Sequence, residues 1–282
     1  MKKKKHIFLR HAQADSRQQM EDGSQKSEVR SLKTEDRRRK SEDGNQNEQN
    51  NFSDIAEGTL YIVPTPIGNL DDITLRAIKV LPDVDIIACE DTRHTGILLK
   101  NLSIIPKKLI SYHEHNEKSK SFEIIEEIKS GKKVALVSDA GSPLISDPGF
   151  PLIRLATEHN IKIIALPGAT AFVPALSASG FPTNRFVFMG FAPQKKGRLT
   201  FIQELINIQS TIILYESSHR IIKLLDELNS IFEDSRQICI AREISKIHEE
   251  YIRGTANYCK EQLHLKQKVK GEFVVIIDAI KD

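Results

Sequence analysis

The feature that most constrains this chain is a short apolar segment that ends abruptly in small and polar residues. Residues 134–137 are all apolar, and the sequence S-D-A-G-S-P follows them directly. Such a run after a turn predicts a buried strand, and small residues at its end let backbone amides approach a ligand closely. Because open α/β sheets bind ligands at the carboxyl ends of their strands, residues 134–149 predict part of a binding site. A single loop of this kind would also fit an ordinary strand-to-helix connection.

The same order of apolar strand, polar loop and helix recurs from residue 58 onward. In the first half the predicted strands are 59–63, 84–89, 108–111, 134–137 and 162–166. The predicted helices between them are 70–81, 95–102, 122–128 and 151–158. This alternation predicts an α/β fold, with a mainly parallel sheet covered by helices.

The second half of the chain has a different spacing. Its predicted strands are 185–189, 211–215, 237–241, 249–254 and 271–277, and its predicted helices are 172–179, 199–208, 221–228 and 258–265. These strands lie closer together along the chain, so we expect a mixed sheet rather than a wholly parallel one. A boundary near residues 167–171 predicts an N-terminal α/β domain at 57–168 and a C-terminal α/β domain at 169–282.

Residues 1–56 differ in composition from the rest. Between residues 12 and 51 charged and polar side chains of both signs predominate, and apolar ones are sparse. Such a segment cannot bury enough apolar surface to offset chain entropy, so we predict a disordered polar extension. Residues 5–14 resemble the R-H-A motif that opens histidine phosphatases, but no complete domain of that kind follows. We therefore expect no phosphatase activity.

Composition excludes several other classes of protein. The net charge is +3, which does not by itself indicate a nucleic-acid binder. Three widely spaced cysteines predict neither a disulfide framework nor a metal site, and they favour a reducing, cytoplasmic compartment. No apolar run is long enough to span a membrane. The chain lacks both the G-x-G-x-x-G and the P-loop motif. His113 and His115 could share a strand face, but they lack an evident third ligand, so we predict no metal.

Several segments at the ends of predicted strands together resemble one family. They are G-T-L-Y-I-V-P-T-P-I-G-N-L-D-D-I-T-L-R-A (58–77), E-D-T-R-H-T (90–95), S-Y-H-E-H-N-E (111–117), V-S-D-A-G-S-P-L-I-S-D-P-G (137–149), L-P-G-A-T-A (166–171), Y-E-S-S-H-R (215–220), A-R-E (241–243) and K-G-E-F-V-V (270–275). In this order they resemble the ribosomal RNA small subunit methyltransferase I family, which has the tetrapyrrole-methylase fold.

That resemblance implies an activity, a cofactor and partners. It implies two α/β domains with S-adenosylmethionine between them, and methyl transfer to the ribose 2′-hydroxyl of a cytidine in 16S ribosomal RNA of the small subunit. It also implies a homodimer. Residues 1–56 have no counterpart in the family, and some members carry a further small domain after the position of Asp278. The latter difference leaves open how this chain grips RNA.

Candidate site residues follow from the strand-end loops. We predict donor binding by small and polar residues of these loops: Pro66, Gly68, Ser138, Asp139, Ala140, Gly141, Ser142, Pro167, Gly168, Ala169, Thr170 and Met189. Gly168 is expected to approach the donor, so that Gly168→Val would abolish binding in a folded protein. The candidate proton acceptors are Glu90, Asp91 and Asp139. The candidate RNA contacts are Arg93, Lys195, Lys196, Arg198, His219 and Arg220.

Two alternatives remain open at this point. The first is a methylase of a corrin or porphyrin precursor, which shares the fold. Its first loop would read closer to G-x-G-P-G-D, whereas residues 64–69 here are P-T-P-I-G-N. The second is a non-catalytic RNA-binding assembly factor that retains the fold. Donor binding would discriminate against this second alternative.

Overall fold

The structure is a computed structural model that describes residues 57–266 and 268–280. The segment 1–56, with its predicted disorder and its R-H-A motif, lies outside the described residues. Within the described part, the chain forms two five-stranded sheets with helices packed against them. No helix in this part is long and apolar enough to cross a membrane.

The first sheet is wholly parallel. Its strands are β1 (Thr59–Val63), β2 (Ile86–Cys89), β3 (Leu109–Ser111), β4 (Val134–Val137) and β5 (Lys162–Ala165), in the order β3-β2-β4-β1-β5. Its helices are α1 (Leu75–Asp83), α2 (Thr92–Asn101), α3 (Glu117–Lys129) and α4 (Phe150–Glu158). Apolar side chains pack on both faces of this sheet, which explains why β2 and β4 are uninterrupted apolar runs.

The second sheet is mixed, as the spacing of its strands predicted. Its strands are β6 (Phe186–Phe191), β7 (Thr211–Ser217), β8 (Ile238–Arg242), β9 (Glu250–Gly254) and β10 (Glu272–Ile277), in the order β6-β7-β10-β8-β9. Only β6 and β7 are parallel; β10 runs antiparallel to both its neighbours, and β8 and β9 are also antiparallel. The helices are α5 (Phe172–Ser179), α6 (Arg198–Glu204), α7 (Ile221–Phe232) and α8 (Ala256–His264).

The predicted helix at 70–81 is wrong at its beginning. Residues Leu70–Asp72 form a separate 3-10 turn, in which the Asn69 side chain accepts a hydrogen bond from the amide of Asp71. The chain is then extended at Ile73, and α1 begins after Thr74, whose hydroxyl accepts from the amide of Ala77 at 3.1 Å. Thr74 is a better N-cap than the apolar Leu70, because its side chain satisfies a free amide of the first turn.

The two sheets meet along a cleft at the carboxyl ends of β1 and β4. On the side of the second sheet, the Tyr215 hydroxyl near the end of β7 accepts a hydrogen bond from the amide of Phe172 at 3.2 Å. On the opposite side of the cleft, the hydroxyl of Ser245 hydrogen-bonds the carboxylate of Asp72. The loops that carried the sequence motifs therefore come together in one place.

Candidate functional site

The cleft contains a cavity of about 480 Å³, which we call the large cavity. One wall comes from the first sheet, through the loops that follow β4 and β5. The other wall comes from the second sheet, through the end of β7 and the beginning of β10. Its lining mixes small polar residues with the apolar side chains of Ile67, Ile145 and Ile244 and the aromatic rings of Phe191 and Tyr215. A volume of this size and a largely apolar lining are typical of sites that enclose a small molecule.

A second, smaller cavity of about 310 Å³ adjoins the first, and we call it the small cavity. It lies between the loop after β1 and helix α2. Asp139 and Ala140 contribute to the lining of both cavities, so the two spaces meet at the loop after β4.

The loop after β4 is held in place by hydrogen bonds. Thr65 and Gly141 form a two-residue antiparallel bridge, with N–O distances of 2.9 and 3.0 Å. The Thr65 hydroxyl donates to the carbonyl of Ser138 at 3.0 Å, and the Ser138 hydroxyl donates to the carbonyl of Gly141 at 2.8 Å. Gly141 has a φ of 92°, which favours glycine at this turn. The loop is therefore positioned before any ligand binds.

Three carboxyl groups cluster at the carboxyl ends of β2 and β4. Burial, reinforced by the negative charges of Glu90 and Asp139, raises the pKa of Asp147 to about 7, while a hydrogen bond with Ser138 opposes the shift. Burial also raises the pKa of Glu90, and Asp139 adds to that effect. Asp139 accepts a hydrogen bond from the amide of Asp91 at 3.1 Å. Asp139 and Asp147 both line the large cavity.

Asp91 has a different role from its neighbours. Its carboxylate accepts from the backbone amide of Arg93 at 2.8 Å and from the Arg93 guanidinium at 3.0 and 2.6 Å. These bonds to Arg93 hold the pKa of Asp91 well below its usual range. Asp91 is the N-cap of α2. A carboxylate with a strongly lowered pKa is a weak base, so we withdraw Asp91 as a proton acceptor.

Comparison with known proteins identifies the family. The sequence profile described as Tetrapyrrole (Corrin/Porphyrin) Methylases matches residues 59–258. A "Ribosomal RNA small subunit methyltransferase I" from Buchnera aphidicola subsp. Acyrthosiphon pisum is 49% identical over 226 residues, which cover 79% of this chain and 80% of that protein. The protein of that name from Escherichia coli O157:H7 is 43% identical over 239 residues, covering 83% and 82% of the two chains. The chain belongs to this methyltransferase family.

Solved structures show the same fold at lower identity. A diphthine synthase superposes with a TM-score of 0.60 at 16% identity, covering 78% of this chain and 90% of that one. A uroporphyrin-III-C-methyltransferase from Thermus thermophilus gives 0.54 at 18% identity, covering 79% and 95%. At this level of identity the likeness extends to the fold alone, and it confirms the predicted tetrapyrrole-methylase architecture.

The predicted donor-binding residues of this family member occupy three kinds of position. Five line the large cavity: Asp139, Ala140, Gly141, Ser142 and Thr170. Pro66 and Gly68 line the small cavity. Ser138, Pro167, Gly168 and Ala169 are not part of either lining; of these, Ala169 supports the site by accepting a hydrogen bond from the Ser142 hydroxyl at 3.0 Å. Met189 packs against the apolar core of the second sheet instead.

The reason for a glycine at position 168 differs from the one we expected. A Cβ atom there would lie 2.5 Å from Cβ of Pro64, so the constraint is close packing of the loops after β1 and β5. A valine would therefore push these two loops apart. That Gly168→Val removes donor binding in a folded protein stays a prediction, and on this geometry the loss would come from displaced loops rather than from close approach to the donor.

The residues predicted to contact RNA differ in their exposure to solvent. Arg93, Lys195, Lys196 and His219 are exposed. Arg198 is only 4% exposed and is bound by the Glu227 carboxylate through Nε at 2.9 Å and Nη2 at 2.7 Å. We therefore withdraw Arg198 as an RNA contact, because a phosphate could reach its guanidinium only by displacing these bonds.

Arg220 is likewise committed inside the protein. Its Nε lies 2.9 Å from Oε1 of Glu216, and its Nη1 donates to the carbonyl of Ala192 at 3.1 Å. The guanidinium also lies 5.9 Å from the centre of the Phe191 ring. Arg220 thus orders the wall of the large cavity formed by Phe191 and Glu216.

The sequence reasoning missed several residues that line the large cavity. Asp147 stands in the quoted S-D-P-G segment, and its position two residues before a glycine turn was a usable signal. Tyr215, Ser217 and Ser218 end β7 and could have been found by the strand-end rule. The start of β10, from Gly271 to Val274, also lines the cavity. Finding that segment required knowing that β10 is antiparallel to β7.

Metal ligation finds no support in the described part of the chain. There, no group of three or more His, Cys, Asp or Glu side chains could hold a metal ion. His113 and His115 lie with ring centroids 5.8 Å apart in an edge arrangement. His113 lies 3.3 Å from the side-chain amide of Asn116, which gives it a structural partner.

Proposed function

We propose that this protein transfers a methyl group from S-adenosylmethionine to the ribose 2′-hydroxyl of a cytidine in 16S ribosomal RNA of the small subunit. The observation that carries this proposal is the identity of 43% to 49% with relatives named ribosomal RNA small subunit methyltransferase I, over about four fifths of the chain. The large cavity supplies a compatible enclosed space at the point where the motifs converge.

The residues of the large cavity fit S-adenosylmethionine. The donor carries a positive sulfonium, and the carboxyls of Asp139 and Asp147 place negative charge in the lining. The hydroxyl of Thr170, which pairs with the hydroxyl of Ser142, lies in the lining, while Ile67 and Ile244 offer apolar contact. When bound, the donor supplies an electrophilic methyl group, whose bond to sulfur breaks as the bond to the ribose oxygen forms.

The chain itself contributes positioning and a proton acceptor. A ribose hydroxyl has a high pKa, so a nearby base must take its proton as the new bond forms. Among the three clustered carboxyls we propose Asp147 as the acceptor, with Glu90 and Asp139 as the neighbours that raise its basicity. A base whose pKa lies near the working pH combines availability with strength. The fixed loop after β4 holds this group at the cavity wall.

We also propose a cytoplasmic homodimer. A ribosomal substrate supports a location in the cytoplasm. Exposed apolar side chains on neighbouring elements of the second half support an interface: Val173 on α5 is 50% exposed and Phe186 on β6 is 43% exposed. Multi-angle light scattering of the full chain should give the mass of two copies, and Val173→Glu should shift that mass toward one.

One experiment tests the activity. Small ribosomal subunits that lack the modification are incubated with the protein and with S-adenosylmethionine labelled in its methyl group. We expect label in 16S RNA, and nuclease mapping should place it on the 2′-oxygen of one cytidine. Transfer to a base nitrogen or carbon, or to a corrin precursor and not to the subunit, would contradict the proposal.

A further inference from the structure

The small cavity has the features of a separate binding site rather than an extension of the large one. Helix α2 forms one side of this cavity and contributes His94, Ile97, Leu98 and Asn101 to its lining. The loop after β1, around Pro66 to Leu70, forms the other side. No residue of α2 lines the large cavity. Ile67, Asp139, Ala140 and Glu272 line both spaces, so the two cavities join along the loops after β1 and β4 and the start of β10. Helix α2, Leu70 and Lys246 line the small cavity and not the large one.

We propose that the small cavity receives the target nucleotide after it leaves the RNA stack, with its base between Leu70 and Ile97 and its ribose toward Asp139. This inference rests on the proposed function, and it names where the acceptor binds. Methyl transfer requires donor and acceptor in adjoining positions with the reacting atoms close together. Two cavities that share the loop after β4 provide that arrangement.

The walls of the small cavity suit a nucleobase. Leu70 is 44% exposed and Ile97 is 60% exposed, so two large apolar side chains face a concave surface open to solvent. Sequence-specific recognition of RNA targets nucleotides whose bases are unstacked, and enzymes that take a nucleotide out of the stack hold its base between aromatic or apolar side chains. Covering Leu70 and Ile97 with a base would remove their apolar surface from water.

A polar group lies at the end of the same cavity. Asn101 is the last residue of α2, and its side chain makes no hydrogen bond with any described residue. An amide side chain can donate and accept at once, so it can pair with a base edge that offers both functions, as cytosine does.

Cations lie in and beside the small cavity. Lys246 lines it and is bound by Glu243 and Glu272, and Arg93, at the beginning of α2, is bound by Asp91. Lys100 is exposed near the end of α2. Exposed cations beside a base pocket suit the phosphates on either side of a nucleotide, which position the strand without reading its sequence. The small cavity thus offers groups for the base, the ribose and the phosphates.

The test compares two exposed isoleucines. Ile97→Ser changes the wall of the small cavity, whereas Ile105→Ser changes a side chain that is 87% exposed and lines neither cavity. Both positions are exposed enough that neither variant should unfold, and thermal melting checks this. Loss of the apolar contact between an isoleucine side chain and a base costs about 1–2 kcal/mol, so we expect kcat/KM for small subunits to fall about 5- to 30-fold in Ile97→Ser. Ile105→Ser should match the wild type.

Binding of S-adenosylmethionine, measured by isothermal titration, separates the two cavities. We expect the same donor Kd in the wild type and in Ile97→Ser, because Ile97 does not line the large cavity. If the donor affinity of Ile97→Ser fell by the same factor as its kcat/KM, the inference would be overturned and the small cavity would be assigned to the donor. Unchanged kcat/KM in Ile97→Ser, alongside normal wild-type transfer, would overturn the inference and leave the proposed function intact. A wild type that binds donor but never methylates subunits would overturn both.

A second variant tests contact with the base edge. Asn101→Ala should lower kcat/KM for small subunits by about 10-fold, the lower part of the range for a lost base contact. The donor Kd should stay that of the wild type, because Asn101 does not line the large cavity. Unchanged kcat/KM in both Asn101→Ala and Ile97→Ser would place the target elsewhere on the surface.

Discussion

The protonation of Asp147 gives a prediction that couples stability to activity. The variant Asp147→Asn keeps the shape of the side chain and removes its charge. In the folded protein, burial and the charges of Glu90 and Asp139 raise the pKa of this carboxyl from 3.8 to about 7. A raised carboxyl pKa means that the folded state resists ionisation that the unfolded state undergoes freely.

The sign of the effect follows from the two pKa values. Below about pH 4 Asp147 is protonated in both states, and its ionisation costs nothing. As the pH rises toward 7 the unfolded chain ionises first, so stability is lost over this range and the loss then levels off. At about 1.4 kcal/mol per pKa unit the full cost would be roughly 4 kcal/mol, and solvent access at the cavity wall reduces it to roughly 2 kcal/mol.

Thermal melting from about pH 5 to pH 8.5 measures this cost. For a folded region of this size, roughly 2 kcal/mol corresponds to about 4–8 °C in Tm. We expect Asp147→Asn to melt higher than the wild type at pH 8, with the difference shrinking toward pH 5. The exposed Asp234 provides a matched control, since Asp234→Asn removes a charge far from any cavity lining. Its Tm should follow the wild type at every pH.

The same variant should lose activity while it gains stability. If Asp147 accepts the hydroxyl proton, Asp147→Asn should lower kcat by about 100-fold or more, the usual contribution of a positioned base. If the difference in Tm between Asp147→Asn and the wild type did not vary with pH, the raised pKa of Asp147 would be refuted. A normal kcat in the stabilised variant would refute the role of Asp147 and return the choice of base to Glu90 and Asp139.

Three other substitutions test the remaining parts of the site. Arg198→Met should destabilise the protein by about 3–5 kcal/mol, seen as a lower Tm, because it removes the two-bond partner of the poorly solvated Glu227 carboxylate and leaves it only Lys223 at 3.9 Å; an unchanged Tm would contradict the buried pair. The double variant Lys195→Ala, Lys196→Ala should keep the wild-type Tm, raise KM for small subunits, and reduce the log-log salt slope by roughly 0.7–0.9 per lost phosphate contact; an unchanged slope would identify a solvated loop. Gly168→Val should cost about 1–3 kcal/mol through overpacking against Pro64, and a wild-type Tm would contradict that packing.

Local chemistry explains which parts of the fold the sequence predicted well. Apolar runs such as β4 and β7 bury both faces, so their hydrophobic pattern alone indicates a strand. Helix α1 was misplaced because Leu70 has the apolar character of a helix face, while the N-cap hydrogen bond of Thr74 determines where the helix begins. The division at residue 168 into two domains stays a prediction.

The errors at the site share a different cause. Lys195, Lys196 and Arg198 look alike in sequence as one basic run. Only folding brings Glu227, 29 residues further along the chain, against Arg198 and leaves the two lysines exposed. Asp91 has the residue type of a base, but it is the N-cap of α2 and its carboxylate is bound by Arg93. A residue type can suggest a chemical role, but the partner that cancels the role is set by long-range contacts.

The orientation of one strand explains why the site could not be completed from the sequence. A parallel strand contributes its carboxyl end to the ligand edge of a sheet, and this rule found Asp139 and Thr170. Strand β10 runs antiparallel to β7, so its amino end reaches the same edge and brings Gly271 and Phe273 into the large cavity. Antiparallel pairing here also places Glu272 opposite Ser217, and both residues line the large cavity. Loops of the parallel first sheet therefore form one wall of the large cavity, and strands β7 and β10 of the mixed second sheet form the other wall.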